Sequence, residues 1–227
     1  FNSMRIIKFI VLPILILIVV VPVFGQSTTF TEAEKESVLL MLEEEKLARD
    51  VYLAFGDKWG NKVFLNIADA EEIHLESVKQ IADENKLNIP ATVEKDIKGK
   101  FENPDLQKLY DEMVKVGSKS LIEALKIGAK IEELDIKDLS EAIANTNKSN
   151  LIRLYTQLHM ASENHLRAFV RNLDEQGHVY SPVILTKARF DSIIAAQGKK
   201  DSCCATKKDK ASCDSKGKKS KKNCCKA

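Results

Sequence analysis

The feature that most constrains this fold is a Glu-x-x-His pair set inside an apolar helical stripe. Phe64, Ile67, Glu71, His74, Val78 and Ile81 step by three and four, the spacing that puts side chains on one face of an α-helix. Glu71 and His74 therefore stand where a core-facing stripe should be apolar. Burying an unpaired carboxylate is costly, and a metal ion is one of the few partners that offsets the cost. A Glu-x-x-His pair projecting into a helical bundle is the ligand pattern of carboxylate-bridged di-iron and di-manganese proteins. The question becomes whether other helices bring matching ligands.

The rest of the chain reads as helix. It has 227 residues with 44% hydrophobic content, enough for one core, but only 9 glycines and 5 prolines. No segment shows sustained alternation of period two, so the expected fold class is all-α with essentially no sheet. Thr31-Glu32-Ala33-Glu34 is a capping box, in which Thr31 can accept from the Glu34 amide while Glu34 reaches back. Four main helices are expected near residues 33–55, 62–84, 119–143 and 150–174, with a break at Gly56–Gly60 and a bend in the third near residue 134. Asn103-Pro104 marks the start of a short helix inside the long connection between the second and third. Short connections within each pair favour antiparallel neighbours. Ser181-Pro182 opens an extended segment, and residues 187–196 are expected to form a small closing helix.

Each of the other three main helices also carries a polar group in mid-stripe. The first has Val38, Met41, Glu45, Ala48, Tyr52 and Phe55, with Glu43 expected to point outward and Glu44 on the shoulder beside Leu40, Leu47 and Val51. The third has Leu121, Leu125, Gly128, Glu132, Asp135 and Leu139, with Glu133 turned away. The last has Leu151, Tyr155, Leu158, Ser162, His165 and Phe169. The candidate metal ligands are thus Glu45, Glu71, His74, Glu132, Asp135 and His165. Hard carboxylate oxygens with two imidazoles suit iron or manganese, and zinc less specifically. Taken singly, an inward Glu is a solvated residue at a stripe edge and an inward His a hydrogen-bonded core residue. Four coincident helices favour an internal site for one or two ions. Tyr52 and Tyr155 lie on the same stripes and read as packing residues with satisfied hydroxyls, which could also donate hydrogen bonds to the site.

The segment Glu45-Lys46-Leu47-Ala48-Arg49-Asp50-Val51-Tyr52 resembles the Glu-x-x-Ala-Arg-x-x-Tyr first helix of rubrerythrins, and Glu71-Glu72-Ile73-His74 resembles their second-helix Glu-x-x-His. The wider pattern runs from Leu42 to Tyr52, Ile131-Glu132-Glu133-Leu134-Asp135-Ile136 and Asn164-His165-Leu166-Arg167-Ala168-Phe169. It resembles a ferritin-like family catalogued only as a domain of unknown function, over roughly residues 30–196. The resemblance implies a ferritin-like four-helix bundle with a metal site. One departure stands out. Rubrerythrin-like sites carry a second Glu-x-x-His on the last helix, whereas this chain has Ser162-Glu163-Asn164-His165, with Ser at the bridging position. Glu163 is two residues from His165 and points about 160° away from it at roughly 100° per residue, so Asp135 is the better substitute. No rubredoxin-like Cys-x-x-Cys module is present.

Both ends differ from the body. Arg5 and Lys8 precede the apolar run Phe9–Phe24, with Val23 and Gly25 at the −3 and −1 positions of a cut before Gln26, so residues 4–25 read as a signal peptide. An export signal implies a periplasmic or extracellular protein. The alternative is an N-terminal membrane anchor, against which the run is short of the roughly 20 residues a span needs. The folded domain is expected over residues 26–198. Residues 199–227 form a Lys-rich tail expected to be disordered. It carries a net charge of +8 and holds Cys203, Cys204, Cys213, Cys224 and Cys225, a candidate site for a soft metal or a basic extension that contacts anionic surfaces. The remainder has a net charge of −6, which argues against nucleic-acid binding by the body. A homodimer is expected by resemblance to ferritin-like proteins. The functional reading is an exported metal-binding protein with oxygen or peroxide redox chemistry, a ferroxidase- or peroxidase-like oxidoreductase. Its alternatives are a non-catalytic metal carrier and a structural helical module with an incomplete site.

Overall fold

The structure, a computed structural model, describes residues 29–205, with side chains through residue 196. The signal segment lies outside the described residues, as do Cys213, Cys224 and Cys225. Among the described residues there are seven helices and no strand: α1 Glu32–Trp59, α2 Lys62–Glu84, α3 Ala91–Glu94, α4 Pro104–Gly117, α5 Leu121–Ala144, α6 Ser149–Glu175 and α7 Lys187–Ala205. None of them is long and apolar enough to cross a membrane. α7 runs past the expected domain boundary at residue 199.

Local signals set most of the helix ends. The capping box at Thr31 forms, with the Glu34 amide donating to Thr31 Oγ1 at 3.2 Å and the Thr31 amide donating to Glu34 Oε2 at 2.8 Å. Asn103 accepts from the Asp105 amide and Ser120 from the Glu123 amide, starting α4 and α5. The break expected over Gly56–Gly60 falls at the C-terminal end of that stretch. α1 continues through Gly56 to Trp59 and ends at Gly60, whose φ of 63° is the left-handed region glycine adopts without cost. Gly56 instead permits close helix approach, because a Cβ there would lie 2.3 Å from Leu65 Cδ2 on α2. α5 is one continuous helix through residue 134.

α1 packs chiefly on α2 and α5 on α6, and the two pairs meet along the narrower α1–α5 and α2–α6 seams. The core is divided. One apolar cluster holds Tyr52, Phe55, Phe64, Leu125 and Phe169; the other holds Val38, Leu42, Val78, Leu139 and Leu158. α1 and α6 run from the second cluster to the first, and α2 and α5 run the opposite way. α2 and α5 are therefore parallel, which requires the connection 85–120 to carry the chain back along the bundle.

That connection is held by polar groups of α1. Lys46 is fully buried. Its Nζ donates to Asp50 Oδ2 at 2.6 Å, to the Ile97 carbonyl at 2.7 Å and to the Lys100 carbonyl at 3.1 Å, over the Phe101 ring. Asp50 also accepts from the Gly99 amide at 2.8 Å. Arg49 joins Asp50, Glu72 at 2.6 Å and Asp96 at 2.5 Å. Glu43, expected to point outward, is buried and accepts from the Glu102 and Asn103 amides at 2.6 and 3.1 Å. Its face looks exposed on a helical wheel, but the connection crosses over it.

Candidate metal centre

The polar stripe residues lie at the waist between the two apolar clusters. On α1 Glu45 separates Leu42 of one cluster from Leu47 of the other; on α2 Glu71 separates Ala68 from Leu75; on α6 Ser162 separates Leu158 from Leu166. Helix periodicity places them there, and the apolar layers on either side remove water from them. Glu45, Glu71 and Glu132 are 5%, 2% and 0% exposed, so any charge they keep must be compensated by a partner close by.

The compensation is organised around Glu71. Its Oε2 lies 2.6 Å from His74 Nδ1, which lies 3.4 Å from Glu45 Oε2. Its Oε1 lies 2.9 Å from His165 Nδ1, which lies 3.5 Å from Glu132 Oε2. Two groups result, Glu45–Glu71–His74 and Glu71–Glu132–His165, in each of which one ligand atom per residue lies within 4.8 Å of the others. The imidazoles stack at the α2–α6 seam with centroids 5.6 Å apart. Glu71 Oε1, Glu132 Oε2 and His165 Nδ1 are buried without a hydrogen bond, despite their close approach. Convergent donor atoms that crowd together and do not bond to one another are what a cation site requires.

Electrostatics reflect the same crowding. Burial pushes Glu45 up to about 8, against the hydrogen bond from His74. Burial would also raise Glu71, but the imidazoliums of His165 and His74 hold it well below the usual carboxylate range. Desolvation favours neutral His74, yet its bonds to Glu45 and Glu71 hold it at about 10. Desolvation would lower His165 too, but the nearby charges of Glu71 and Glu132 raise it well above its ordinary value. Glu132 is raised by burial, as is Asp135, where the neighbouring charges of Glu132, Glu45 and Glu71 add to the effect.

Five of the six candidate ligands thus come together in the two groups. Asp135 belongs to neither; it sits half-buried one turn along α5 from Glu132. Ser162 is buried, and its hydroxyl donates to the Leu158 carbonyl of its own helix at 3.1 Å. Glu163 faces away and contacts Arg189 on α7. The two tyrosines differ. Tyr52 donates to Glu132 Oε1 at 2.6 Å, fixing that carboxylate from the α1 side, whereas Tyr155 meets Ser37 Oγ at 3.1 Å, away from the site. Glu133 is turned away from the site as expected, but it is fully buried. It accepts from Tyr180 Oη at 2.7 Å and from the Val183, Ile184 and Leu185 amides at 3.1, 2.8 and 2.7 Å. Nothing in the spacing of α5 marks Glu133 for this, because its partners come from a segment about 50 residues away.

A family model for an uncharacterized protein domain, DUF2202, matches residues 34–197. The chain is 44% identical over 166 residues to the uncharacterized protein MJ0754 of Methanocaldococcus jannaschii, covering 73% of this chain and 89% of that protein. The crystal structure of hypothetical protein MJ0754 from Methanococcus jannaschii superposes with a TM-score of 0.71 at 42% identity, over 73% of this chain and 94% of that one. The matched segment spans α1 to α6 and every ligand candidate, and the chain belongs to the DUF2202 family of helical domains.

Proposed function

We propose that this protein is a ferritin-like metalloprotein that holds two iron or manganese ions at the waist of its bundle and serves oxygen or peroxide redox chemistry outside the cytoplasm. The observation that carries this reading is the division of Glu71, with one carboxylate oxygen in each of two donor groups. That is the geometry of a bridging ligand. The parallel run of α2 and α5 across one long connection supports the ferritin-like part, because a bundle with a single crossover has that topology.

The residues fit such ions. Three carboxylates and two imidazoles supply hard oxygen and intermediate nitrogen donors, and the unbonded Glu71 Oε1, Glu132 Oε2 and His165 Nδ1 converge from three helices. Glu45 with His74 would hold one ion and Glu132 with His165 the other. When bound, iron or manganese supplies one-electron redox chemistry toward oxygen or peroxide. The chain's own part is positional. Tyr52 orients Glu132, the aromatic layer of Phe64 and Phe169 closes the site on one side, and both imidazoles must release the protons that they hold in the metal-free bundle.

Ser162 favours a second reading, in which metal is bound without turnover. Its hydroxyl is turned onto Leu158, so the bundle offers one bridge where two helices could each supply one. Elemental analysis of protein purified from cells grown with iron and manganese tests both readings. One or two ions per chain with oxidase or peroxidase activity supports the first, and the same content without activity supports the second. No bound metal, together with an unfolding temperature that does not respond to either ion, defeats both.

A further inference from the structure

The metal centre is buried, so an ion must have a way in. α5 bears carboxylates at Glu132, Asp135, Asp138 and Glu141, a strict step of three. Three residues turn a helix by about 300°, so such a row falls back about 60° at each step and spirals from core to surface. Exposure follows this geometry. Glu132 is fully buried, Asp135 is half-buried, the Asp138 side chain is 23% exposed and that of Glu141 is 62% exposed.

The outer end of this row opens into a cleft of ≈ 840 Å³ between α1 and α5, whose walls include Glu36, Glu43, Glu44, Asp138 and Glu141. Glu44 joins cleft to core. It is half-buried, lines the cleft together with Asp138, and immediately precedes Glu45. Among the described residues it makes no hydrogen bond or ion pair. On the exposed side Lys137 bridges Asp138 at 2.8 Å and Glu141 at 3.2 Å. At the inner end wait the unbonded oxygens of Glu132 and Glu71.

We infer that divalent cations reach the metal centre through the α1–α5 cleft, passed along the α5 carboxylate row with Glu44 as the relay between Asp138 and the Glu45–Asp135 end. This rests on the proposed metal site and adds its route and its direction. A cleft lined by one sign of charge raises the local concentration and the on-rate of its counter-ion by about 10- to 1,000-fold. Removing a relay charge should therefore slow loading without changing what is loaded.

Stopped-flow absorbance with Co(II) and the full, metal-free chain tests this. Glu44→Gln and Asp138→Asn should each slow loading about tenfold and leave the final stoichiometry and spectrum unchanged. Glu76→Gln, an exposed charge on α2 that does not line the cleft, should load at the wild-type rate. Wild-type rates for Glu44→Gln and Asp138→Asn overturn the route while leaving the metal site standing. Loss of an ion from Glu44→Gln also overturns it, since Glu44 would then be a ligand. A wild-type protein that takes up no Co(II) overturns both the route and the metal site.

Discussion

Glu71 differs in kind from the residues around it, because it serves both donor groups with one side chain. Replacing it with Ala should abolish binding of both ions, whereas His74→Ala should spare the group formed by Glu71, Glu132 and His165. Metal content after exhaustive dialysis checks this, and equal losses from the two variants would count against a bridging Glu71. The same residues make the metal-free protein sensitive to pH. The folded value of His74, about 10, lies above its ordinary 6.5, so the folded chain retains a proton that the unfolded chain releases. The stability from this group is complete below about pH 6.5 and is lost as pH rises through 10. Glu45, raised from 4.5 to about 8, acts in the same direction at lower pH. Metal-free protein in chelator should therefore unfold at lower denaturant concentration at pH 9.5 than at pH 6.5. A midpoint that rises over that interval would contradict the imidazolium–carboxylate network.

At the scale of elements, single buried polar side chains of the long helices hold the irregular segments. Lys46, Arg49 and Asp50 fasten the connection 95–102 to α1, and Glu133 fastens the segment 180–185 to α5. Glu133→Ala leaves three backbone amides and a tyrosine hydroxyl without their acceptor. It should cost about 3 kcal/mol, the size expected when a buried charge is removed from its partners. Urea unfolding measures the loss, and hydrogen exchange should accelerate at Val183, Ile184 and Leu185 well before it does in α5. Uniform acceleration along the chain would show that this segment is not held separately. These tethers explain why the stripes misplace Glu43 and give no sign of what Glu133 holds. Glu43 looked exposed on its helix, and Glu133 looked merely turned away, since a helical wheel shows which face a residue occupies but not which distant segment covers that face.

For the whole molecule, the division of the core places a polar layer between two apolar ones, and a layer of buried charge costs stability unless it is compensated. A metal at about 100 times its dissociation constant adds about 2.7 kcal/mol, which for a body of this size is a rise in unfolding temperature of about 5–10 °C. Differential scanning fluorimetry with iron(II) or manganese(II), reversed by chelator, measures it. The variant Glu71→Ala/His74→Ala should show no such rise, and its metal-free form should be at least as stable as wild type, because a buried carboxylate and the imidazole paired with it leave together. A large loss of stability in that metal-free variant would favour a structural hydrogen-bonded network instead. The four long helices, the caps at Thr31 and Asn103, and the inward Glu45, Glu71, His74, Glu132 and His165 were legible in the sequence, because helical period and capping chemistry act within a few residues. The sharing of Glu71, the engagement of Tyr52 with Glu132, the retreat of Asp135 from both donor groups and the covering of Glu43 were not. Each depends on how far apart and at what rotation separate helices pack, and only the tertiary structure decides that.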